Sequence, residues 1–419
     1  FQRGDEVEDG KTLTKSYTGF EDKSYAYPSY VPWCYKNIKN VYFKDEISPI
    51  SLTYWFYDAR NLSNFNANNL NMNKVIYMIN TYHGCYNLTG SPICGENVTS
   101  MNSAYYNCYN LTGSPVCGEK VVYMNNTYYY CNNLTGSPVC GENVTDMSYT
   151  YHGCYNLTGS PVCGEKVTSM NNTYYYCRSL TGSPVCGSNV INMSSAYYGC
   201  YNITGSPVCG ENVIKMSSTY QFCYNLTGSP VCGENVTDMS YTYSNCYNLT
   251  GAPVCGENVT SMNGTYQNCY NLTGSPVCGN NVIYMNNTYY HCRNLTGSPI
   301  CGTNVTSMRG TYCGCSNLTG NAYFYSKSIV NVAACFTGHN NSSILNIYTI
   351  TNSSTMNTLL YNNTSSLVGT AITWTDDTAT NGCYYNTTYN IYIYPVEDVA
   401  AVRLENEFDL NLVPSVYTT

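Results

Sequence analysis

The sequence predicts a repeat solenoid. Each 23-residue copy is expected to supply a short strand and a short helical turn, with atypical capping repeats and a small C-terminal α+β or β segment closing the chain. Three observations carry this expectation. Cys85, Cys108, Cys131, Cys154, Cys177, Cys200, Cys223, Cys246, Cys269, Cys292 and Cys315 recur 23 residues apart. A second cysteine column, Cys94 through Cys301, follows the first at a constant offset of nine. No insertion breaks the register between about Met78 and Thr319. One copy cannot bury its own apolar stripe, whereas stacked copies turn each apolar position into a continuous core.

In chain order, residues 1–40 form a charged segment read as a tether or attachment region. Residues 1–60 carry 17 charged side chains and residues 85–320 only 15. Residues 41–345 form the repeat array. Val41–Leu62 is a degenerate first copy with Leu52, Phe56, Ala59 and Leu62 at core positions. Within a full copy, Val144, Met147, Tyr151 and Cys154 are spaced 3, 4 and 3, which places them on one face of a helical turn. Leu157, Ser160 and Val162 then read as a strand facing inward, with Gly141 or Gly164 as the turn between the arms. Pro recurs inside that strand (Pro92, Pro115, Pro138) and cannot donate to a ladder. Short bridges or polyproline-like arms are therefore expected there instead of a regular sheet. Ile329, Val332 and Phe336 keep the spacing in the irregular closing copies. Residues 346–419 complete the closing repeat and cap: Tyr389–Tyr394 alternates like a strand, and Glu397–Phe408 suits a helical turn or two.

The pattern V-x-x-M-x-x-x-Y-x-x-C-x-x-L-x-G-x-P-V resembles the BspA-type (Treponema-type) leucine-rich repeat. VTDMSYTYHGCYNL (Val144–Leu157) is the clearest stretch, with Tyr151 where that family carries Phe. The similarity runs over about residues 41–345. It implies a leucine-rich-repeat-like fold and a surface role, because such proteins are bacterial surface adhesins and similar repeats occur in fibre proteins of phages infecting gut bacteria.

Composition narrows the function further. Charged residues make up 10% of the chain and the net charge is −8, which leaves no footprint for nucleic acid or an anionic membrane. No apolar run is long enough to span a bilayer. Phe1 is not an initiator Met and no signal-like apolar stretch follows it, so the chain reads as processed or trimmed. No convergent titratable set points to catalysis. His83, His152, His291 and His339 lack zinc spacing and read as surface substitutions. The column cysteines read as stacked thiols in preference to disulfides, while Cys34, Cys313, Cys335 and Cys383 fall outside the columns. No metal or other cofactor is expected. The column Glu96, Glu119, Glu142, Glu165, Glu211, Glu234 and Glu257 could take calcium, but splayed loop tips relieve its repulsion equally well.

Two kinds of surface position stand out. Sequons at Asn87, Asn97, Asn110, Asn143, Asn156, Asn225 and Asn235 are candidate glycosylation sites. The simpler reading is that these Asn side chains bond turn backbone, copy after copy. Tyr86, Tyr109, Tyr155, Tyr201, Tyr224, Tyr247 and Tyr270, each one residue after a Cys, form a candidate ligand-binding stripe. Tyr106, Tyr129, Tyr175 and Tyr198 lie beside it. Such rings suit adaptable recognition of a glycan or protein receptor, or they stack on one another and stiffen the array. The expected role is non-enzymatic adhesion or receptor binding at a cell surface or on a virion fibre, with self-association as a further partner. Free thiols and the missing anchor lean toward a phage fibre. A structural subunit of an extracellular filament or coat, N-glycosylated in that case, is the alternative.

Overall fold

A computed structural model describes residues 19–34, 37–338 and 345–350, together with the backbone of strands 384–386 and 391–395. The chain divides into two compact units, Phe1–Val213 and Ile214–Thr419. Both are built from in-register copies joined by parallel pairing. In the first unit a single residue per copy forms the bridge, in the succession Ser51, Tyr77, Ser100, Tyr123, Asp146, Ser169 and Asn192. Lys215, Asp238, Ser261, Tyr284, Ser307 and Asn331 do the same in the second.

Regular strands are confined to the ends. In the first unit β1 (Asn40–Tyr42) pairs in parallel with β2 (Asn64–Asn66). In the second, β3 (Ile300–Cys301), β4 (Ala322–Phe324), β5 (Leu345–Thr349), β6 (Tyr384–Asn386) and β7 (Ile391–Pro395) form a sheet of order β3-β4-β5-β7-β6. Only the β6–β7 pair is antiparallel. β7 overlaps the alternating run Tyr389–Tyr394 expected to be a strand. The helical turn expected at Glu397–Phe408 lies outside the described residues, as do Asp5, Glu6, Glu8 and Asp9 of the charged segment.

The helical turn expected within each copy is not there. Among the described residues the only helical segments are two short 3-10 turns, Pro28–Tyr30 and Met72–Lys74. The stretch from Met147 to Cys154 is instead a chain of tight turns. Thr150, His152 and Cys154 donate their N–H groups three residues back, to Met147, Tyr149 and Tyr151. The alternate residues Met147, Tyr149, Tyr151 and Gly153 donate forward to the next copy, at Ser169, Asn171, Thr173 and Tyr175, over 2.7–3.0 Å. Tyr149 (φ 58°) and Gly153 (φ 73°) occupy the left-handed region, which reverses the coil at every fourth residue and forbids a helix. Elsewhere in the copy donation runs the other way: Thr145 N–H reaches back to Val122 O and Thr158 N–H to Gly136 O.

The inward strand is likewise displaced. Within the LTGSPVC arm of a typical copy it is Leu157 and Pro161 that are buried, while Ser160 is exposed and Val162 half-buried. Between Cys85 and Pro299 this arm forms no ladder, as its proline column requires. Gly159 (φ +82°) makes the turn. Gly141 is needed for a different reason: a Cβ there would stand 3.0 Å from Cys117 Sγ and 3.1 Å from the Gly118 carbonyl.

The core repeats with the sequence. Val144, Met147, Tyr151, Cys154 and Leu157 are fully buried, as are their equivalents in neighbouring copies. Each core tyrosine stacks on the next, with ring centroids 5.1–5.6 Å apart from Tyr82 to Tyr197 and again 5.6 Å apart from Tyr220 to Tyr312. The hydroxyl is not wasted. Tyr151 Oη accepts from Val139 N–H (2.9 Å) and donates to Val139 O (2.7 Å), so it ties the ladder-less proline arm to the turn chain across the coil. Thr150 Oγ1 and Cys154 Sγ donate to carbonyls of the preceding copy, Met124 O and Tyr128 O, both at 3.0 Å. At the N-terminal end Phe20, Trp33 and Trp55 pack edge to face at 5.4–5.7 Å. Leu52, Phe56, Ala59 and Leu62 are buried in the degenerate first copy, and Ile329, Val332 and Phe336 in the closing one.

Candidate functional site

The turn chain sends its outward residues into two aromatic columns. The residue after each core tyrosine starts the first. Tyr57, His83, Tyr106, Tyr129, His152, Tyr175 and Tyr198 stack nearly parallel at 4.4–4.7 Å. Tyr106, Tyr129, Tyr175 and Tyr198 are half-buried. Burial, followed by the neighbouring phenols, raises the Tyr129 hydroxyl to about 12 and Tyr198 further, so these groups stay protonated donors at neutral pH.

His83 and His152 are not the surface substitutions expected. His152 is 8% exposed, sandwiched between Tyr129 and Tyr175, and its Nδ1 is buried without a partner. Burial lowers its pKa to about 4 and lowers that of His83 too, which keeps both rings neutral and able to stack. His291 stacks on Tyr290 at 4.1 Å. His339 lies outside the described residues.

The second column follows the buried cysteine. Tyr109 is exposed, whereas Tyr86, Tyr155, Tyr201, Tyr224, Tyr247 and Tyr270 are half-buried. Tyr86 stacks on Tyr109 at 5.1 Å in the first unit. In the second, Tyr224, Tyr247 and Tyr270 stack at 4.9 and 5.1 Å. The stacked faces are turned to one another, so ring edges and hydroxyls are what reach solvent. Arginine fills some of the remaining faces. Arg178 lies 4.8 Å from the Tyr155 centroid, 5.2 Å from Tyr176 and 5.6 Å from Tyr201, while Arg60 covers Tyr86 and Arg293 covers Tyr270.

Sequence reading missed both the arginine placements and a set of more exposed rings in the bridge column, Tyr77, Tyr123 and Tyr284. The arginines were legible as substitutions at the Tyr86-type position. The bridge rings carried no such signal, because serine, aspartate, asparagine or lysine replaces them in the intervening copies.

The sequon asparagines divide by column. Asn97 donates to Asn73 O (2.7 Å), and Asn143 to Glu119 O (3.0 Å), each 24 residues back. Lys120 and Lys166 in turn donate to their Oδ1 atoms at 2.6 Å. Asn87 donates to Arg60 O, and Asn110 to Asn87 Oδ1 at 3.4 Å. Asn87, Asn156, Asn225 and Asn235 are exposed and Asn97, Asn110 and Asn143 half-buried. Copy-to-copy bonding of the kind expected from turn asparagines thus occupies the amides of Asn87, Asn97, Asn110 and Asn143.

The glutamates of the Glu96 column are all exposed, and the carbonyls of Glu119, Glu165, Glu234 and Glu257 accept Asn amides of the next copy. Among the described residues no three His, Cys, Asp or Glu side chains gather where they could hold a metal ion, and no helix is long and apolar enough to cross a membrane. No protein-family model matches the chain, and no curated protein matches its sequence.

Proposed function

We propose that the chain is a non-enzymatic, leucine-rich-repeat-like solenoid akin to BspA-type surface repeats. It is exposed on a virion fibre or cell surface, and it recognises a glycan or protein receptor through its tyrosine columns. The observation that carries this reading is the Tyr155–Arg178–Tyr201 array, in which one guanidinium lies between the rings of the copies before and after it and phenolic hydroxyls line the same column. Because the faces are largely covered, binding proceeds by hydrogen bonds from ring edges to a hydroxyl- or carbonyl-rich ligand, with face stacking a minor part. Tyr- and Arg-rich surfaces supply contact area at low entropic cost. Glycan-array and cell-surface binding by the intact chain tests it. Tyr201→Ala, Tyr224→Ala and Tyr247→Ala together should lower binding at least tenfold while the melting temperature stays within a few degrees. Undiminished binding would refute the assignment.

One observation favours a second reading. Rings that satisfy one another's faces need no ligand, which suits a structural subunit of an extracellular filament or coat. Concentration-dependent end-to-end assembly without ligand, measured by sedimentation, distinguishes that role.

A further inference from the structure

A row of sulfur atoms lies beside the proline arm and takes no part in the proposed recognition surface. It comprises Cys94, Cys117, Cys140, Cys163, Cys186 and Cys209 in the first unit, and Cys232, Cys255, Cys278 and Cys301 in the second. All but the buried Cys301 are half-buried. Every Sγ adopts one pose, 3.5–3.6 Å from the carbonyl of the following glycine. Every one that can be compared also leans onto the next copy. A Cβ on Gly141, Gly164 or Gly187 would come within 3.0–3.1 Å of Cys117, Cys140 or Cys163 Sγ. The other cysteine column is sealed in the core, its thiols donating to carbonyls at 2.9–3.1 Å.

Identical poses in copies joined by parallel bridges repeat at the copy-to-copy spacing, which the stacked ring columns bracket at 4.4–5.6 Å. A metal–sulfur bond is about 2.3 Å, so a linear sulfur–metal–sulfur bridge spans about 4.6 Å. Soft thiolates select soft ions such as Cu(I). We propose that this half-buried thiol column is a template for monovalent, two-coordinate soft metal ions, Cu(I) or Ag(I), each bridging sulfurs of adjacent copies. A tetrahedral ion finds no third or fourth ligand, in keeping with the absence of three-ligand clusters among the described residues. The first ion bonds two sulfurs and displaces two S–H protons. Each further ion along the row shares one sulfur and displaces one more. No electrons are transferred. Burial raises Cys117 and Cys140 to about 12, so the metal must displace protons and binding strengthens as pH rises.

Adjacency, not thiol number, is the test. One variant replaces Cys117, Cys163, Cys209, Cys255 and Cys301 with Ser, which leaves sulfurs two copies apart, about twice the reach of one two-coordinate ion. A second replaces Cys209, Cys232, Cys255, Cys278 and Cys301, which leaves Cys94 through Cys186 contiguous. Silver nitrate titration in chloride-free buffer, with proton release recorded, should show the alternating variant losing nearly all high-affinity sites. The contiguous one should keep its bridged run. Equal binding by the two variants overturns the proposal. If either variant fails to melt cooperatively, X-ray absorption of the silver-loaded wild-type chain decides. Two sulfur neighbours per ion are expected, and three or four would overturn it.

Discussion

At the scale of single residues, the core tyrosine hydroxyl is the most informative atom in a copy. Proline in the SPVC arm removes a ladder donor, and Tyr151 Oη replaces the missing sheet contact by gripping both Val139 backbone groups. Phenylalanine would fill the same space and strand that backbone pair. Tyr151→Phe is therefore expected to cost about 1–3 kcal/mol, read as a fall in denaturant midpoint without change in slope. His152 supplies a second residue-scale test. Its folded-state pKa, about 4, lies below the unfolded value near 6.5, so the unfolded chain takes up the proton first. The stability this neutral ring contributes is whole above about pH 6.5 and is lost as pH falls toward 4. His152→Tyr, which installs the commonest residue of that column, should flatten that part of the acid dependence of melting. An unchanged profile would mean that the His152 ring is not held neutral by its stack.

At the scale of the element, the period, the cysteine columns and the buried Val-Met-Tyr-Cys-Leu series were legible because burial imposes them on every copy. The conformation of the turn chain was not. Buried positions spaced 3, 4 and 3 are common to a helical turn and to consecutive tight turns with left-handed residues between them, so spacing cannot separate the two. The discriminating signal lay in the positions that point away from the core. The Tyr149 column also carries Asn126, Asn172 and Ser195, and the Gly153 column Asn107 and Gly199, residues that include several tolerant of positive φ. The candidate stripe was legible as a list of tyrosines, whereas the pairing of their faces depends on copy-to-copy distance, which no single copy encodes. Leu157, Ser160 and Val162 were misassigned for a related reason: alternation was read across a proline arm whose burial follows Leu157 and Pro161.

At the scale of the whole molecule, copies within each unit depend on their immediate neighbours, so stability should grow copy by copy. Deleting the 23 residues 144–166 joins Asn143 to Val167 in native register. The product is expected to retain a cooperative thermal transition, lowered by a few degrees. Deleting only residues 144–155 destroys one copy's core series and the stacking contacts it makes with its neighbours, and should broaden the transition or divide it in two, as followed by circular dichroism. The opposed directions of donation have a final consequence. Turn-chain amides point toward the following copy, while Thr145 and Thr158 amides, Thr150 and Cys154 side chains and the sequon amides point toward the preceding one. Their dipoles largely cancel along the stacking direction, unlike those of a helix, which add. Lengthening such an array therefore accumulates less field at its tips than lengthening a helix does, which eases the duplication of copies.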